Sequence, residues 1–186
     1  MEKPLVTITG PSGVGKTTIV QLLYTIDPWH FTELVSTTTR APRVGEQEGI
    51  AYYFVDNDEF ERRSRAGAFL EEVLYNGTRY GIERSEIEKA HSADLTPLIV
   101  VEPNGARQIR ERYEGRLIQI FLDATEHRRR LWMLGRGDTA EDALSRVLND
   151  RIAIVQGDFP WDAVIENNTT LPALVQSTLK EITRGA

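Results

Sequence analysis

The hydrophobic and polar positions of this chain alternate between two patterns, one typical of strands and the other of helices. Short apolar or β-branched runs predict strands over 5–9, 97–101, 116–122 and 163–165. Apolar residues at helical spacing predict helices over 19–26, over 83–93, from about 103, from about 125, over 140–156 and over 171–182. Strands that alternate with helices in this way indicate an α/β protein with a doubly wound, mostly parallel sheet.

The segment from about 35 to 82 departs from that alternation. Its β-branched and aromatic runs predict strands over 51–55, 69–75 and 78–81, with a short helix over 58–65. Asn76-Gly77 lies between two of these strands and favours a tight hairpin. We therefore predict a small mixed β insert. Because side chains alternate along a strand, one of Glu71 and Glu72 is expected to point inward.

The most specific chemical signal is the stretch Gly10–Thr17, which matches the phosphate-binding pattern G-x-x-x-x-G-K-[ST]. It follows a predicted strand and precedes a predicted helix, as the pattern requires. Its glycines allow a tight turn whose backbone N–H groups face phosphate oxygens, and the helix dipole adds to that attraction. We expect Lys16 to reach the β- and γ-phosphates of a nucleoside triphosphate and Thr17 to offer its hydroxyl to Mg²⁺.

Other charged residues become candidates because of that loop. Glu102 follows the apolar strand 97–101, and a carboxylate at this end of a parallel strand is well placed to hold Mg²⁺ through water. A carboxylate at a helix start is also favoured by the helix dipole, and the two roles are compatible. Arg40 and Arg43 are candidates for a second phosphate, since a guanidinium group can bind phosphate with two hydrogen bonds.

A further group of cations lies in the segment after the strand 116–122. Gly135 and Gly137 flank Arg136, which predicts a mobile hinge that presents a cation, and Arg146 follows on the next helix. The run Arg128–Arg130 is predicted to form a solvated helix face.

Composition narrows the class of protein. The chain has 186 residues, no cysteine and a formal net charge of −6. This length suits one α/β domain, and the acidic balance argues against a nucleic-acid surface. Without cysteine, disulfides and thiolate chemistry do not arise, which fits a reducing cytoplasm. We see no apolar run of membrane length and no signal peptide, and we expect neither nucleic acid nor membrane as a partner.

Taken together, the motifs resemble those of the guanylate kinase family. Residues 36–46 match S-x-x-T-T-R-x-P-R-x-G-E, and residues 49–54 match G-x-x-Y-x-F. The phosphate loop, the strand with Glu71, Tyr80-Gly81, Arg136-Gly137 and Asn167 extend the resemblance over nearly the whole chain.

The resemblance implies a P-loop nucleoside monophosphate kinase that uses ATP and Mg²⁺, with a core, a monophosphate-binding insert and a helical lid. The core would be 1–34, 83–125 and 149–186, the insert 35–82 and the lid 126–148. It implies catalytic roles for Lys16, Arg43, Arg136 and Arg146, and Mg²⁺ held by Thr17 and, through water, by Glu102. It implies an ATP site made of Ser12, Gly13, Val14, Gly15, Lys16, Thr17, Thr18, Arg136 and Asn167. It implies an acceptor site made of Ser36, Arg40, Arg43, Glu46, Tyr52, Glu71, Tyr80, Gly81, Ile82 and Glu102.

The chain departs from the family pattern at a few positions. Ile82 stands where the family usually has Ser or Thr against the guanine, and Val100 where it usually has aspartate. Trp132 takes a position often held by a lid arginine, and the loop between Arg136 and Arg146 is one residue shorter than usual.

These departures concern base recognition more than phosphate chemistry. GMP or dGMP is the first choice of acceptor, because Ser36 and Glu71 would read the guanine edge and an ionised carboxylate complements two guanine donors. A 6-substituted purine or a broader deoxynucleotide range is the alternative within the same chemistry. A non-catalytic protein-binding module is the alternative from another class. The chain is expected to be a monomer or a homodimer.

Overall fold

The fold was analysed in a computed structural model, which describes residues 3–75, 77–155 and 159–184. Its strands are β1 Leu5–Thr9, β2 Phe31–Glu33, β3 Thr37–Thr38, β4 Tyr53–Phe54, β5 Phe69–Tyr75, β6 Thr78–Glu83, β7 Thr96–Val100, β8 Leu117–Asp123 and β9 Ala163–Glu166. Its helices are α1 Lys16–Ile26, α2 Asn57–Arg65, α3 Arg84–Ser92, α4 Pro103–Arg112, α5 Glu126–Gly135, α6 Ala140–Val155 and α7 Leu171–Arg184. The described residues contain no helix long and apolar enough to cross a membrane.

The larger sheet is wholly parallel, with the strand order β2-β7-β1-β8-β9. β1 is its central strand, and all five of its residues are buried. A strand covered on both faces has to be apolar or β-branched throughout, which explains the run Leu5–Thr9. The prediction of an α/β protein with a parallel sheet is confirmed. Parallel sheets bind ligands beyond the carboxyl ends of their strands, and the loop Gly10–Thr17 leaves β1 at that edge.

The smaller sheet is formed by the segment predicted as a β insert, with the order β4-β3-β6-β5. It is mixed, because β3 pairs with β4 in parallel and with β6 in antiparallel fashion. The predicted strand 51–55 is shortened to Tyr53–Phe54, since Tyr52 makes only an isolated bridge to Glu48. Asn76 of the predicted hairpin lies outside the described residues, while Tyr75 and Thr78 pair on either side of it.

Apolar residues cover both faces of the larger sheet. One buried cluster joins β1 and β8 to α1 and α7, with Ile8, Ile19 and Leu174 among its members. The other joins the sheet to α3 and α4, and it includes Ile82 from the insert and Ile109. The insert therefore packs on the same core as the larger sheet, which fixes its strands relative to α4.

Candidate active site

Two glycines of the phosphate loop make close approaches that a side chain would block. Gly13 has φ +77°, and an added Cβ would lie 2.9 Å from the Arg129 carbonyl oxygen. Gly15 precedes α1 with φ +100°, and an added Cβ would lie 3.1 Å from Asn167 Nδ2. Such left-handed backbone is ordinary for glycine and strained for other residues. The loop is therefore pressed against α5 on one side and against the end of β9 on the other.

Lys16 is the charged group of this loop. Its Nζ donates to the Gly10 carbonyl oxygen over 2.6 Å and to the Pro11 carbonyl oxygen over 3.3 Å. Burial lowers the pKa of Lys16, while the negative charges of Glu102 and Asp150 act in the opposite direction. The ammonium is thus held at the loop by neutral carbonyls, and a phosphate oxygen would be a stronger, charged partner.

A cavity of about 700 Å³ opens in front of the loop. This volume lies in the range of small-molecule and cofactor sites. The cavity is lined by Ser12, Gly13, Val14, Gly15, Lys16, Thr17, Thr18, Glu102, Trp132, Arg136, Arg146, Asn167, Thr169 and Leu171. It brings together every residue expected on the ATP side, together with both lid arginines and Glu102.

One carboxylate bridges Arg136 and Arg146, the two arginines expected in a lid. Arg136 Nε donates to Asp138 Oδ2 over 2.6 Å, and Arg146 Nη2 lies 3.6 Å from Asp138 Oδ1. The hydrogen bond from Arg136 lowers the pKa of Asp138, so the carboxylate stays ionised. Gly137 lies between Arg136 and Asp138, and its left-handed backbone, with φ +100°, turns the chain there. Asp138 therefore keeps both cations at one edge of the cavity.

The predicted solvated face Arg128–Arg130 is wrong for its middle residue. Arg129 is only 3% exposed. Its Nη1 donates to Asp150 Oδ2 over 2.8 Å and to the Ser12 carbonyl oxygen over 3.2 Å. The reason is helical spacing, since Arg129 lies one turn before the fully buried Met133 and therefore shares its inward face.

Asn167 supports the phosphate loop through its side chain. Its Nδ2 donates to the Val14 carbonyl oxygen over 2.8 Å, and the residue is 5% exposed. Its backbone N–H donates to the Asp123 carbonyl oxygen over 2.7 Å, which ties the end of β9 to the end of β8. Asn167 is therefore a brace of the loop as well as part of the cavity wall.

A second cluster of polar side chains lies in the insert, centred on Arg40. Arg40 Nη2 donates to Glu46 Oε1 over 2.8 Å, and its guanidinium carbon lies 5.4 Å from the ring centre of Tyr52. Tyr52 packs edge-on against Tyr80, with ring centres 5.9 Å apart. The hydrogen bond to Glu46 and, to a smaller extent, the one to Tyr80 raise the pKa of Arg40, so the guanidinium is charged at every working pH. The cluster therefore holds the permanent positive charge of Arg40 against aromatic rings.

Glu46 organises the loop that carries both insert arginines. Its Oε2 accepts the Arg43 backbone N–H over 2.8 Å, while its Oε1 holds Arg40. Arg43 itself is exposed, and its charge and that of Arg40 counteract the rise in the pKa of Tyr52 that burial causes. Arg43 therefore lies within electrostatic range of Tyr52, with its guanidinium open to solvent.

Glu71 is the inward carboxylate of β5. It is 5% exposed, and an added Cβ on Gly105 would lie 2.6 Å from its Oε1, so only a glycine in α4 leaves room for it. Burial, and then the charge of Glu72, raise the pKa of Glu71 to about 7, while Arg112 acts in the opposite direction. Among the described residues, no side chain or backbone group donates a hydrogen bond to Glu71, which leaves its oxygens available to a ligand.

Two residues of β6 lie beside Glu71, one apolar and one glycine. Ile82 is its partner across β5 and β6, so both side chains share one face, and Ile82 is 3% exposed. Gly81 is buried beside them, where a Cβ would lie 2.8 Å from Phe69 Cδ1. Ser36 precedes β3, and its carbonyl oxygen accepts the Tyr53 backbone N–H over 2.9 Å.

The first turn of α4 joins the two groups of residues. Glu102 is the N-cap residue of α4 and lines the cavity, while Gly105, three residues later, backs Glu71. Of the described residues expected on the acceptor side, Glu102 alone lines the cavity of the phosphate loop. The others lie in the small sheet and its loops, in two groups. Arg43, Glu46, Tyr52 and Tyr80 lie around Arg40, and Gly81 and Ile82 lie beside Glu71, while Ser36 precedes β3.

Sequence reasoning missed several residues that shape the site. They are Gly105, Arg129, Asp138, Asp150, Thr169 and Leu171. Only two of them carried a usable signal: Asp138 lies two residues after Arg136, and Asp150 lies one helical turn after Arg146. The rest depend on which elements pack together.

Comparison with known proteins identifies the family. The sequence model described as guanylate kinase matches residues 1–183. The guanylate kinase of Parasynechococcus marenigrum is 40% identical over 177 residues, which cover 92% of this chain and 94% of that protein. The guanylate kinase of Rubrobacter xylanophilus is 36% identical over 167 residues, which cover 88% and 85% of the two chains. In fold, the chain is similar to the crystal structure of guanylate kinase from Anaplasma phagocytophilum, with a TM-score of 0.67 at 23% identity over 98% of this chain and 86% of that one. The chain belongs to the guanylate kinase family of phosphotransferases.

Proposed function

We propose that this protein transfers the γ-phosphoryl group of ATP to GMP or dGMP, giving ADP and GDP or dGDP. The observation that carries the proposal is the first turn of α4. It presents Glu102 to the cavity of the phosphate loop and Gly105 to the buried carboxylate of Glu71. A donor site and a base-reading site on one turn of one rigid element suit a reaction between two nucleotides.

On the donor side, the backbone N–H groups of the loop and Lys16 would hold the triphosphate. Arg136 and Arg146, which line the same cavity, would place positive charge on the transferring group. The transition state of phosphoryl transfer is loose and anionic, so positioning and cations supply most of the catalysis. The attacking oxygen belongs to an ionised phosphate, and no general base is needed.

The side-chain oxygens near the loop are also suitable ligands for Mg²⁺. Thr17 offers a hydroxyl and Glu102 a carboxylate, both on the wall of the cavity. Mg²⁺ prefers oxygen ligands and takes few from the protein, because it keeps waters and binds phosphate oxygens. When bound, the ion would neutralise charge on the β- and γ-phosphates. Thr17 would hold it directly and Glu102 through water.

On the acceptor side, Arg40, Arg43, Tyr52 and Tyr80 would bind the monophosphate. Support comes from the fixed charge of Arg40 and from the exposed guanidinium of Arg43 within electrostatic range of Tyr52. Glu71 and Ser36 would read the guanine. An ionised Glu71 accepts the N1–H and the 2-amino group of guanine, whereas adenine lacks this donor pair and would leave the carboxylate buried and unpaired.

We further propose the division into a core of 1–34, 83–125 and 149–186, an insert of 35–82 and a lid of 126–148. The separate sheet of β3 to β6 supports the insert. The arginine that follows α5 and the arginine on α6, both in contact with Asp138, support the lid. Because the reaction consumes ATP, a cytoplasmic location is proposed with it.

A panel of acceptors tests the proposal. ADP release is measured with ATP, Mg²⁺ and, in turn, GMP, dGMP, AMP and 2,6-diaminopurine monophosphate. We expect turnover with GMP and dGMP and almost none with AMP. A preference for the diaminopurine nucleotide would shift the assignment to another purine, and Ile82 beside Glu71 would be its physical reason. If none of these acceptors raises ADP release above the level of a Lys16→Met control, the enzyme assignment is refuted.

A further inference from the structure

An acidic side chain of α6 contacts the phosphate loop directly. The Ser12 backbone N–H donates to Asp150 Oδ2 over 2.9 Å, and Ser12 Oγ donates to Asp150 Oδ1 over 3.2 Å. Asp150 lies on α6, far from the loop in sequence. A carboxylate is an unexpected neighbour for a loop that binds triphosphate, because it repels the ligand unless its charge is neutralised.

Arg129 supplies the neutralising charge. It lies 2.8 Å from Asp150 Oδ2 and also donates to the Ser12 carbonyl oxygen over 3.2 Å. Ser12 is therefore held at both backbone groups, its N–H by Asp150 and its carbonyl by Arg129. The Arg129 side chain is 4% exposed and the Asp150 side chain 17%, so the pair is screened from solvent. Hydrogen bonds to ionised groups in such surroundings are strong and directional.

The same contact fixes the rotation of α6. Arg146 lies one helical turn before Asp150, so the two side chains share a face of the helix. Besides this contact, α6 packs on α5 through a small buried cluster of Met133, Ala143 and Val147. Three apolar residues constrain the rotation of α6 only weakly. The directional hydrogen bonds that join Asp150, Arg129 and Ser12 constrain it more strongly. Together with the contact of Arg146 to Asp138, holding Asp150 at Ser12 therefore sets where Arg146 lies in the cavity.

We propose that Arg129 and Asp150 are positioning residues that lock Ser12 of the phosphate loop to α6 and so place Arg146 for the transferring phosphate. The inference rests on the proposed function, because Arg146 acts only if a phosphoryl group is transferred at this cavity. Arg129 and Asp150 are not among the residues that line the cavity. They act through Ser12 and through the orientation of α6.

Three variants test it: Asp150→Leu, Arg129→Met and the double variant. Each single change leaves one buried charge without its partner, so both should lower Tm and lower kcat about 100-fold, as expected for misplaced catalytic groups. The double change removes both charges, and apolar replacements of a buried ion pair are often neutral for stability. We therefore expect the double variant to regain most of the Tm of the unmodified protein while kcat stays low. The KM for GMP should change little, since Arg40 and Glu71 lie elsewhere.

Matched controls are Arg130→Met on α5 and Asn149→Leu on α6, both exposed neighbours of the pair. They should leave kcat and Tm near the values of the unmodified protein. If the double variant regains kcat together with Tm, the pair serves only the stability of the fold and the inference is wrong. If the single variants keep full kcat, it is also wrong.

Binding of a fluorescent ATP analogue separates this inference from the proposed function. The double variant should bind the analogue about tenfold more weakly than the unmodified protein, because the loop has lost charged hydrogen bonds that hold its shape. If the protein fails to phosphorylate GMP but shows this tenfold difference, the acceptor assignment fails and the lock of Ser12 stands. Equal affinities would overturn the lock whatever the acceptor panel shows.

Discussion

The phosphate loop and the insert both offer positive groups to an anion, yet they are built differently. The loop is made of backbone. Gly13 is pressed against α5 so closely that a side chain would clash, and Gly15, in left-handed backbone, lies close to Asn167. The insert is made of side chains, with Arg40 held by Glu46 and packed over Tyr52. A backbone site serves any phosphate, because N–H groups are the same in every residue. A side-chain site can be rebuilt by substitution, so we expect it to set which nucleotide is accepted.

The largest effect is expected for Lys16→Met, and its kinetics should be compared with those of Arg40→Met. Loss of the donor-side ammonium should lower kcat about 1,000-fold with little change in the KM for GMP, because Lys16 acts on charge that develops in the transition state. Loss of Arg40 should chiefly raise the KM for GMP. Steady-state kinetics with each substrate varied, together with Tm as a check on folding, measures both. If the two variants gave the same pattern, the separation into a donor site and an acceptor site would fail.

The difference between the two regions also explains how far the sequence could be interpreted. The phosphate loop and the strand Leu5–Thr9 were predictable, since local conformation and burial of a central strand leave a local signature. The alternation of β5 predicted that one of Glu71 and Glu72 points inward, and the structure shows that Glu71 is the buried one. The role of Gly105 could not be foreseen, because it depends on α4 lying against β5.

The two helices α5 and α6 show the limit more clearly. Arg129 stands in a run of three arginines, a pattern typical of a solvated face. Its position one turn before Met133 places it on the inward face of α5, and that face packs on Gly13. Its partner Asp150 is 21 residues away along the chain. Pairs of this kind are set by tertiary contacts, and a single sequence holds no local trace of them.

The next effect in size concerns Glu71 and pH. The ionised carboxylate should bind guanine, and the pKa of about 7 in the free protein means that protons compete with GMP below that pH. We expect kcat/KM for GMP to fall about tenfold per pH unit well below pH 7. Glu71→Gln should lose this dependence and raise the KM for GMP about 100-fold at pH 8, because its amide group opposes the guanine 2-amino group. The variant also shows how much of the profile comes from the phosphate of GMP itself.

The stability of the ligand-free protein provides an independent check of the pKa of Glu71. The pKa of Glu71 is raised from 4.5 when unfolded to about 7 when folded, so the folded state binds more protons between these values. Its contribution to the free energy of unfolding is therefore present at low pH and is lost as pH rises from 4.5 to 7, by up to about 3 kcal/mol. Thermal unfolding at a series of pH values should show this slope in the unmodified protein and a shallower one in Glu71→Gln. Parallel curves would mean that Glu71 is not the group that titrates.

The smallest effect is expected at Ile82, the cross-strand neighbour of Glu71. Ile82→Thr and Ile82→Val give side chains of nearly the same shape, and the packing change in this buried cluster is shared by both. Only the threonine offers a hydroxyl, which can donate to the 6-oxygen of guanine. A hydrogen bond contributes about 1 kcal/mol, so the threonine variant should have a KM for GMP about fivefold below that of the valine variant. Equal KM values would show that the side chain at this position does not reach the base, and the insert would then recognise guanine through Glu71 and Ser36 without help from β6.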